Sequence, residues 1–272
     1  MPDRPAPLAP VLRRRDMLRR IDSEGTATVA GLARVYGVSP VTVHRDLESL
    51  VKDGAVERVR GGVRSRVTGG EGPRRDFDRR LNHAGDAKRL IAACAATLVT
   101  PGSTIFLDSS TTCLALAQEL ERLDPPQITL VTNSPAIAYE LNSPSIHLIL
   151  TPGEVDQNML LVGGRWTVEF LGGLNLETAF ISGAGLTLDN GLTTAQRSIA
   201  DVLTAASAAA QETVALVDAS KFGIHSLLTI LPVAAIDRLI VDAAVDPELP
   251  TIYEGAGVSV TLARVDPADG EA

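Results

Sequence analysis

The sequence is poor in rings and in sulfur. Aromatic residues make up 3% of its 272 positions, with one Trp and two Cys, while hydrophobic residues as a whole reach 45%. Val, Leu, Ile and Ala must therefore fill the core, as in α/β proteins whose buried strands are aliphatic runs. No apolar stretch reaches the roughly 18–20 residues of a membrane span. The opening residues carry Pro and Arg instead of an apolar h-region, so a cytoplasmic chain without a membrane anchor or secretory signal is expected. Cys94 and Cys113 are far apart, lack metal-ligand spacing, and read as buried thiols of a reducing compartment. His83, His147 and His225 stand in unrelated contexts, so neither a metal site nor a cofactor is expected. Trp166 reads as a packing residue.

The net charge of −8 conceals a split. Residues 1–80 hold 17 Lys/Arg against 11 Asp/Glu, a net of +6, and the remainder holds 8 against 22, a net of −14. A basic leading piece on an acidic body suits contact with a polyanion at one end only.

The basic piece has a recognisable order. Val11, Met17/Leu18 and Ile21 have helical spacing, with Arg13, Arg14, Arg15, Arg19 and Arg20 on the other face and Gly25 as the stop. A second helix from Val29 to Tyr36 buries Leu32, Ala33 and Val35/Tyr36. Gly37 then suits a left-handed turn, Val38 an apolar plug, Ser39 an N-cap and Pro40 the first helical position. The third helix, Pro40 to Lys52, buries Val43, Leu47 and Leu50 and leaves Val41, Thr42, His44 and Arg45 free. Two helices across a tight turn, polar at the start of the second, form the machinery of major-groove reading. Residues 55–64 alternate around Gly61-Gly62, which predicts a hairpin wing whose Arg58, Arg60 and Arg64 reach phosphates or the minor groove.

A linker with Gly69-Gly70 and Gly72-Pro73 follows, then a helix from Ala84 to Leu98. Beyond Pro101-Gly102, strands read as 104–108, 128–132, 146–150, 179–182, 213–217 and 239–241, with helices at 112–123, 134–141 and 199–211. That alternation predicts a mainly parallel sheet with helices on both faces. Ligands of such sheets gather at the carboxyl ends of the strands, and polar clusters fall there: Asp108 to Thr112, Thr132-Asn133-Ser134, Pro152-Gly153, Gly183 to Gly185 and Asp218 to Gly223. The hydroxyls after Asp108 run into a helix N-terminus, an anion-binding arrangement. Lys221 would add positive charge.

The run Gly37-Val38-Ser39, Thr42-Val43-His44-Arg45-Asp46-Leu47, Leu50, Gly54 and Arg58 to Val63 resembles the DeoR family of bacterial regulators. The second half resembles that family's sensor through Asp108-Ser109-Ser110-Thr111-Thr112, Thr132-Asn133, Gly191-Leu192-Thr193-Thr194 and Asp218 to Gly223. The resemblance implies a winged helix-turn-helix followed by a larger α/β domain similar to sugar-phosphate isomerases. It implies double-stranded operator DNA as partner through Ser39, Thr42, His44, Arg45, Arg58 and Arg60. It also implies a phosphorylated sugar effector held by Asp108, Ser110, Thr111, Thr112, Asn133, Gly153, Gly191 and Lys221. Four positions depart from the family pattern: His44 stands for Arg, Pro152 for Gly, Ile199 for Glu and Leu203 for Lys.

The expected organisation is a disordered start at 1–10, the winged helix-turn-helix at 11–66, a linker at 67–84, the effector-sensing domain at 85–265 and a disordered tail at 266–272. The expected function is a repressor of a carbohydrate-catabolic operon, not an enzyme, working as a dimer or tetramer. Two rivals remain at this stage. One is an isomerase-like enzyme, which needs a carboxylate base such as Asp108 or Asp218. The other is an activator or DNA-binding scaffold with a vestigial pocket.

Overall fold

The structure, a computed structural model, describes residues 13, 14, 16–18, 20, 21, 26–52, 55–59, 61–65, 75–124 and 127–264. Arg15, Arg19, Gly25, Arg60, the glycines of the expected linker and both expected disordered ends lie outside the described residues. The chain divides into two compact units between His83 and Ala84.

In the first unit, residues 13–21 are helical wherever they are described. Strand β1 (Thr26–Thr28) leads into helix α1 (Val29–Tyr36), and α2 (Pro40–Lys52) follows. Thr28 caps α1 by accepting from the Gly31 N–H at 3.1 Å. Gly37 ends the helix at φ 62°, a left-handed conformation that costs a glycine nothing. Ser39 Oγ accepts from the Thr42 N–H at 3.2 Å and so caps α2. Strands β2 (Val56–Val59) and β3 (Gly62–Ser65) form the hairpin, and β1 completes a sheet in the order β1-β3-β2. Met17, Ile21, Leu32, Val43, Leu47, Leu50, Val56 and Val63 make the core. Each such aliphatic side chain contributes roughly 1.5–3 kcal/mol by leaving water.

Three sequence expectations are corrected here. Val35 is half exposed, and Tyr36 packs inward instead. Arg13, placed by periodicity on the solvent face, is buried because it pairs with Asp46. Part of the expected linker is helix α3 (Arg75–Asn82), with Phe77 buried and an Asp76–Arg79 pair one turn apart.

The second unit opens with α4 (Gly85–Ala96). There follow β4 (Thr104–Leu107), α5 (Thr111–Leu123), β5 (Ile128–Thr132), α6 (Pro135–Glu140) and β6 (Ile146–Leu150). A hairpin of β7 (Glu154–Asp156) and β8 (Leu161–Gly163) precedes α7 (Arg165–Leu171) and β9 (Leu176–Ile181). Strands β10 (Gly185–Thr187) and β11 (Gly191–Thr194), helix α8 (Arg197–Ala208), β12 (Ala210–Leu216) and β13 (Leu228–Leu231) come next. The last elements are β14 (Arg238–Asp242), α9 (Leu249–Gly255) and β15 (Ser259–Ala263).

Seven strands form one sheet in the order β15-β14-β12-β9-β4-β5-β6, and every neighbouring pair is parallel. A small antiparallel sheet, β10-β11-β13, is added to it. From β4 the chain steps outward through β5 to β6, and from β9 it steps the other way through β12 to β14 and β15. The reversal places a switch point, where such sheets bind ligands, at the carboxyl ends of β4 and β9. Trp166 is 67% exposed on α7 and does not pack into the core. Ile199 is packed against the aliphatic core, and Leu203 lies within it.

Candidate functional site

On the first unit, α2 carries the expected reading residues on its outer side. Val41, His44 and Arg45 are exposed, Thr42 is half-buried, and Val43, Asp46 and Leu47 point inward. Ser39 and Thr42 share a hydroxyl hydrogen bond of 2.9 Å beside the cap. From the wing, Arg58 reaches back onto α2. One of its guanidinium nitrogens lies 3.1 Å from His44 Nδ1, and the other 3.6 Å from Glu48 Oε1. Arg64 is paired with Glu57 across the hairpin.

On the second unit, the expected effector residues fall at the strand ends. Asp108 follows β4 and is 3% exposed. Its Oδ1 accepts from the Ser110 N–H at 2.7 Å and its Oδ2 from the Ser182 N–H at 2.8 Å. The side chain therefore clamps the end of β4 to the end of β9. Ser110 Oγ caps α5 by accepting from the Cys113 N–H at 3.0 Å. Cys113 donates its thiol to the Phe180 carbonyl. Burial, and after it the Asp108 charge, push that thiol well up from its ordinary value, so it stays protonated and inert.

Asn133, after β5, donates from Nδ2 to the Val162 carbonyl at 3.0 Å. Lys221 Nζ, on the turn after β12, donates to Ser182 Oγ at 2.9 Å and lies 3.7 Å from Asp218 Oδ2. Asp242, at the end of β14, accepts from the Ala219 N–H at 2.7 Å and fixes that turn. Phe222 anchors it further, its ring 5.6 Å from Tyr253 in an edge-on contact. Burial pushes the Tyr253 hydroxyl up to about 12.

Gly153 and Gly191 both sit at positive φ in crowded turns. A Cβ at Gly153 would stand 2.2 Å from Thr167 Oγ1, and one at Gly191 would stand 2.1 Å from the Leu231 carbonyl oxygen. Both glycines permit close packing of neighbouring segments.

One residue escaped the sequence reading. Lys88 on α4 is only 4% exposed and acts electrostatically on Asp218. Burial alone would raise the Asp218 carboxyl, but Lys221, the Ser220 hydrogen bonds and Lys88 outweigh it and leave it lowered. The spacing of Lys88 to Ile91, Ala92 and Ala95 on one helical face was the available signal.

Five buried side-chain atoms have no hydrogen-bond partner among the described residues: Ser103 Oγ, Thr112 Oγ1, Asn133 Oδ1, Thr151 Oγ1 and Asp218 Oδ2. Ser103 precedes β4. The other four all follow carboxyl ends, of β4, β5, β6 and β12 in turn. Buried oxygens are otherwise almost always bonded, and here the exceptions gather along one edge of the sheet. With two lysines and the positive end of the thirteen-residue α5, that edge suits a polar anion. Among the described residues no His/Cys/Asp/Glu cluster suited to a metal occurs, and no helix is long and apolar enough to cross a membrane.

A winged helix-turn-helix followed by a parallel α/β unit of this kind defines a DNA-binding transcriptional regulator with a sensor domain. The chain belongs to the DeoR family: residues 13–68 match the DeoR-like helix-turn-helix domain and residues 83–243 the DeoR C terminal sensor domain. It is 31% identical to the HTH-type transcriptional regulator GolR of Listeria innocua over 94% of this chain and 99% of that protein. It is also 31% identical to the HTH-type transcriptional regulator IolR of Bacillus subtilis, over 93% and 99%. Among solved structures, ribose 5-phosphate isomerase A of Methanocaldococcus jannaschii aligns with a TM-score of 0.38 at 21% identity, over 51% of this chain and 54% of that one.

Proposed function

We propose that this regulator is a cytoplasmic repressor of a carbohydrate-catabolic operon, released from its operator by a phosphorylated sugar. The observation that carries the reading is the row of buried oxygens that lack a hydrogen-bond partner among the described residues after β4, β5, β6 and β12, one of which, Asp218 Oδ2, lies 3.7 Å from Lys221 Nζ, with Lys88 acting on the same carboxylate. The lysines and the start of α5, at Ser110, Thr111 and Thr112, take the phosphate. Thr112, Asn133 and the Asp218 carboxylate exchange hydrogen bonds with sugar hydroxyls. Asp108, with both oxygens already accepting backbone N–H groups, holds the frame.

On the DNA side, Thr42, His44 and Arg45 read the major groove from α2, Ser39 fixes the start of that helix, and Arg58 and Arg60 serve from the wing. The effector acts only through different affinities for the DNA-competent and DNA-incompetent states. Two half-sites call for at least a dimer. Catalysis is not part of this reading. Ile199 and Leu203, where the family pattern has Glu and Lys, are packed with the aliphatic core and offer no base.

Calorimetry of the whole chain with pentose and hexose phosphates, each against its free sugar, tests the sensor half. Binding of one phosphosugar, weakened about 10–100-fold by Lys88→Met or Lys221→Met, is the expected result, that range being the worth of a hydrogen bond to a charged group. Equal binding of phosphosugar and free sugar would contradict it.

A further inference from the structure

Arg58 and His44 come from different elements, β2 and α2, yet they meet at 3.1 Å through a guanidinium nitrogen and Nδ1. A guanidinium has five donors and no acceptor. The contact is therefore a hydrogen bond only when Nδ1 carries no proton, which makes the imidazole neutral with its hydrogen on Nε2. Glu48, one turn on from His44, lies 3.6 Å from the other guanidinium nitrogen and orients the fork. Among the described residues, α2 also carries Arg45 beside His44, and the hairpin carries the Glu57–Arg64 pair, whose charges satisfy each other.

We infer that Arg58 is a positioning residue that fixes His44 as the neutral Nε2–H form, making His44 a specificity-determining residue of the recognition helix. This rests on the DNA-binding reading and deepens it. An arginine at this place would grip guanine O6 and N7 with two donors and carry its charge everywhere. His44 held by Arg58 offers one N–H to one acceptor on a base edge, such as a purine N7 or thymine O4. The wing thereby takes part in base choice through the helix, beyond any phosphate contact of its own.

The test uses the whole chain. Ring nitrogen shifts from ¹⁵N-histidine NMR report the tautomer without DNA. A preferred duplex is selected from a random library, and anisotropy measures the loss on changing each base pair singly. The expected result is an unprotonated Nδ1 in the wild type and a mixed tautomer in Arg58→Met. Discrimination at one base pair falls about three- to ten-fold in that variant, the worth of one hydrogen bond, and Arg58→Lys restores part of it. A protonated Nδ1 in the wild type, or Arg58→Met leaving every base preference unchanged, overturns the inference. Selection of no duplex with the tautomer intact overturns the DNA reading instead.

Discussion

Arg13 Nε donates to Asp46 Oδ2 at 2.7 Å, with both side chains less than a tenth exposed. The pair ties the first helical segment to the inner face of α2, so the proposed reading helix is held from behind by an ion pair. Removing one partner of a buried pair strands the other charge and costs about 3–5 kcal/mol, whereas an apolar replacement of both is often neutral. Asp46→Ala is expected to unfold the first unit at much lower denaturant, and Arg13→Met with Asp46→Leu to recover most of the loss. Two-probe denaturation curves check both.

The glycines at the strand ends give a contrast. Gly153→Ala and Gly191→Ala would each drive a Cβ to within about 2.2 Å of an oxygen, Thr167 Oγ1 or Leu231 O. Each is expected to lower stability by about 1–3 kcal/mol, as overpacking does. Phosphosugar affinity of the folded protein should stay within about twofold. A stable variant that has lost its effector would show that the glycine contacts ligand.

Asp218 links the site to pH. Burial opposes its ionisation, but Lys221, Ser220 and Lys88 leave its folded carboxyl lowered. The stability it contributes is therefore full above the unfolded carboxylate value of about 3.9 and is lost as pH falls through the lower folded value. The stability difference between wild type and Asp218→Asn should be constant at neutral pH and shrink below about pH 4. Chemical denaturation across that range measures it.

Arg45 is exposed on α2 and has no structural duty in the core. Arg45→Ala should leave stability unchanged. If Arg45 meets phosphate, the variant weakens all duplexes evenly and lowers the salt slope by about one; if it meets a base edge, it relaxes preference at one position by roughly 1–3 kcal/mol.

Much of this architecture was legible because caps and periodicity agree. Thr28, Gly37 and Ser39-Pro40 bound α1 and α2 at Val29–Tyr36 and Pro40–Lys52, as the sequence indicates. Six of the seven parallel strands were visible as aliphatic runs. Strand β15, the hairpin β7–β8 and the small sheet β10-β11-β13 were not; β7, β8 and β10 have three residues each, too few to show a period. The strand ends were visible as polar punctuation, but their division of labour was not. Asp108 reads as polar punctuation at a strand end, and the two backbone N–H partners that make it a clamp are ones no side-chain pattern reveals. Lys88 was overlooked for the opposite reason: a lysine reads as solvated even where helical spacing places it with Ile91 and Ala95.

A phosphate-bearing sugar held at the ends of β4, β5 and β12 is proposed to set DNA affinity. The most direct measurement is anisotropy of labelled upstream DNA in complex with the whole chain, titrated at fixed salt with phosphosugars and their free sugars, since phosphate contacts make affinity steeply salt-dependent. Release by one phosphosugar, absent with its free sugar and lost in Lys221→Met, is the predicted result. A tight complex that no phosphosugar disturbs, or one released equally by the free sugar, would contradict it.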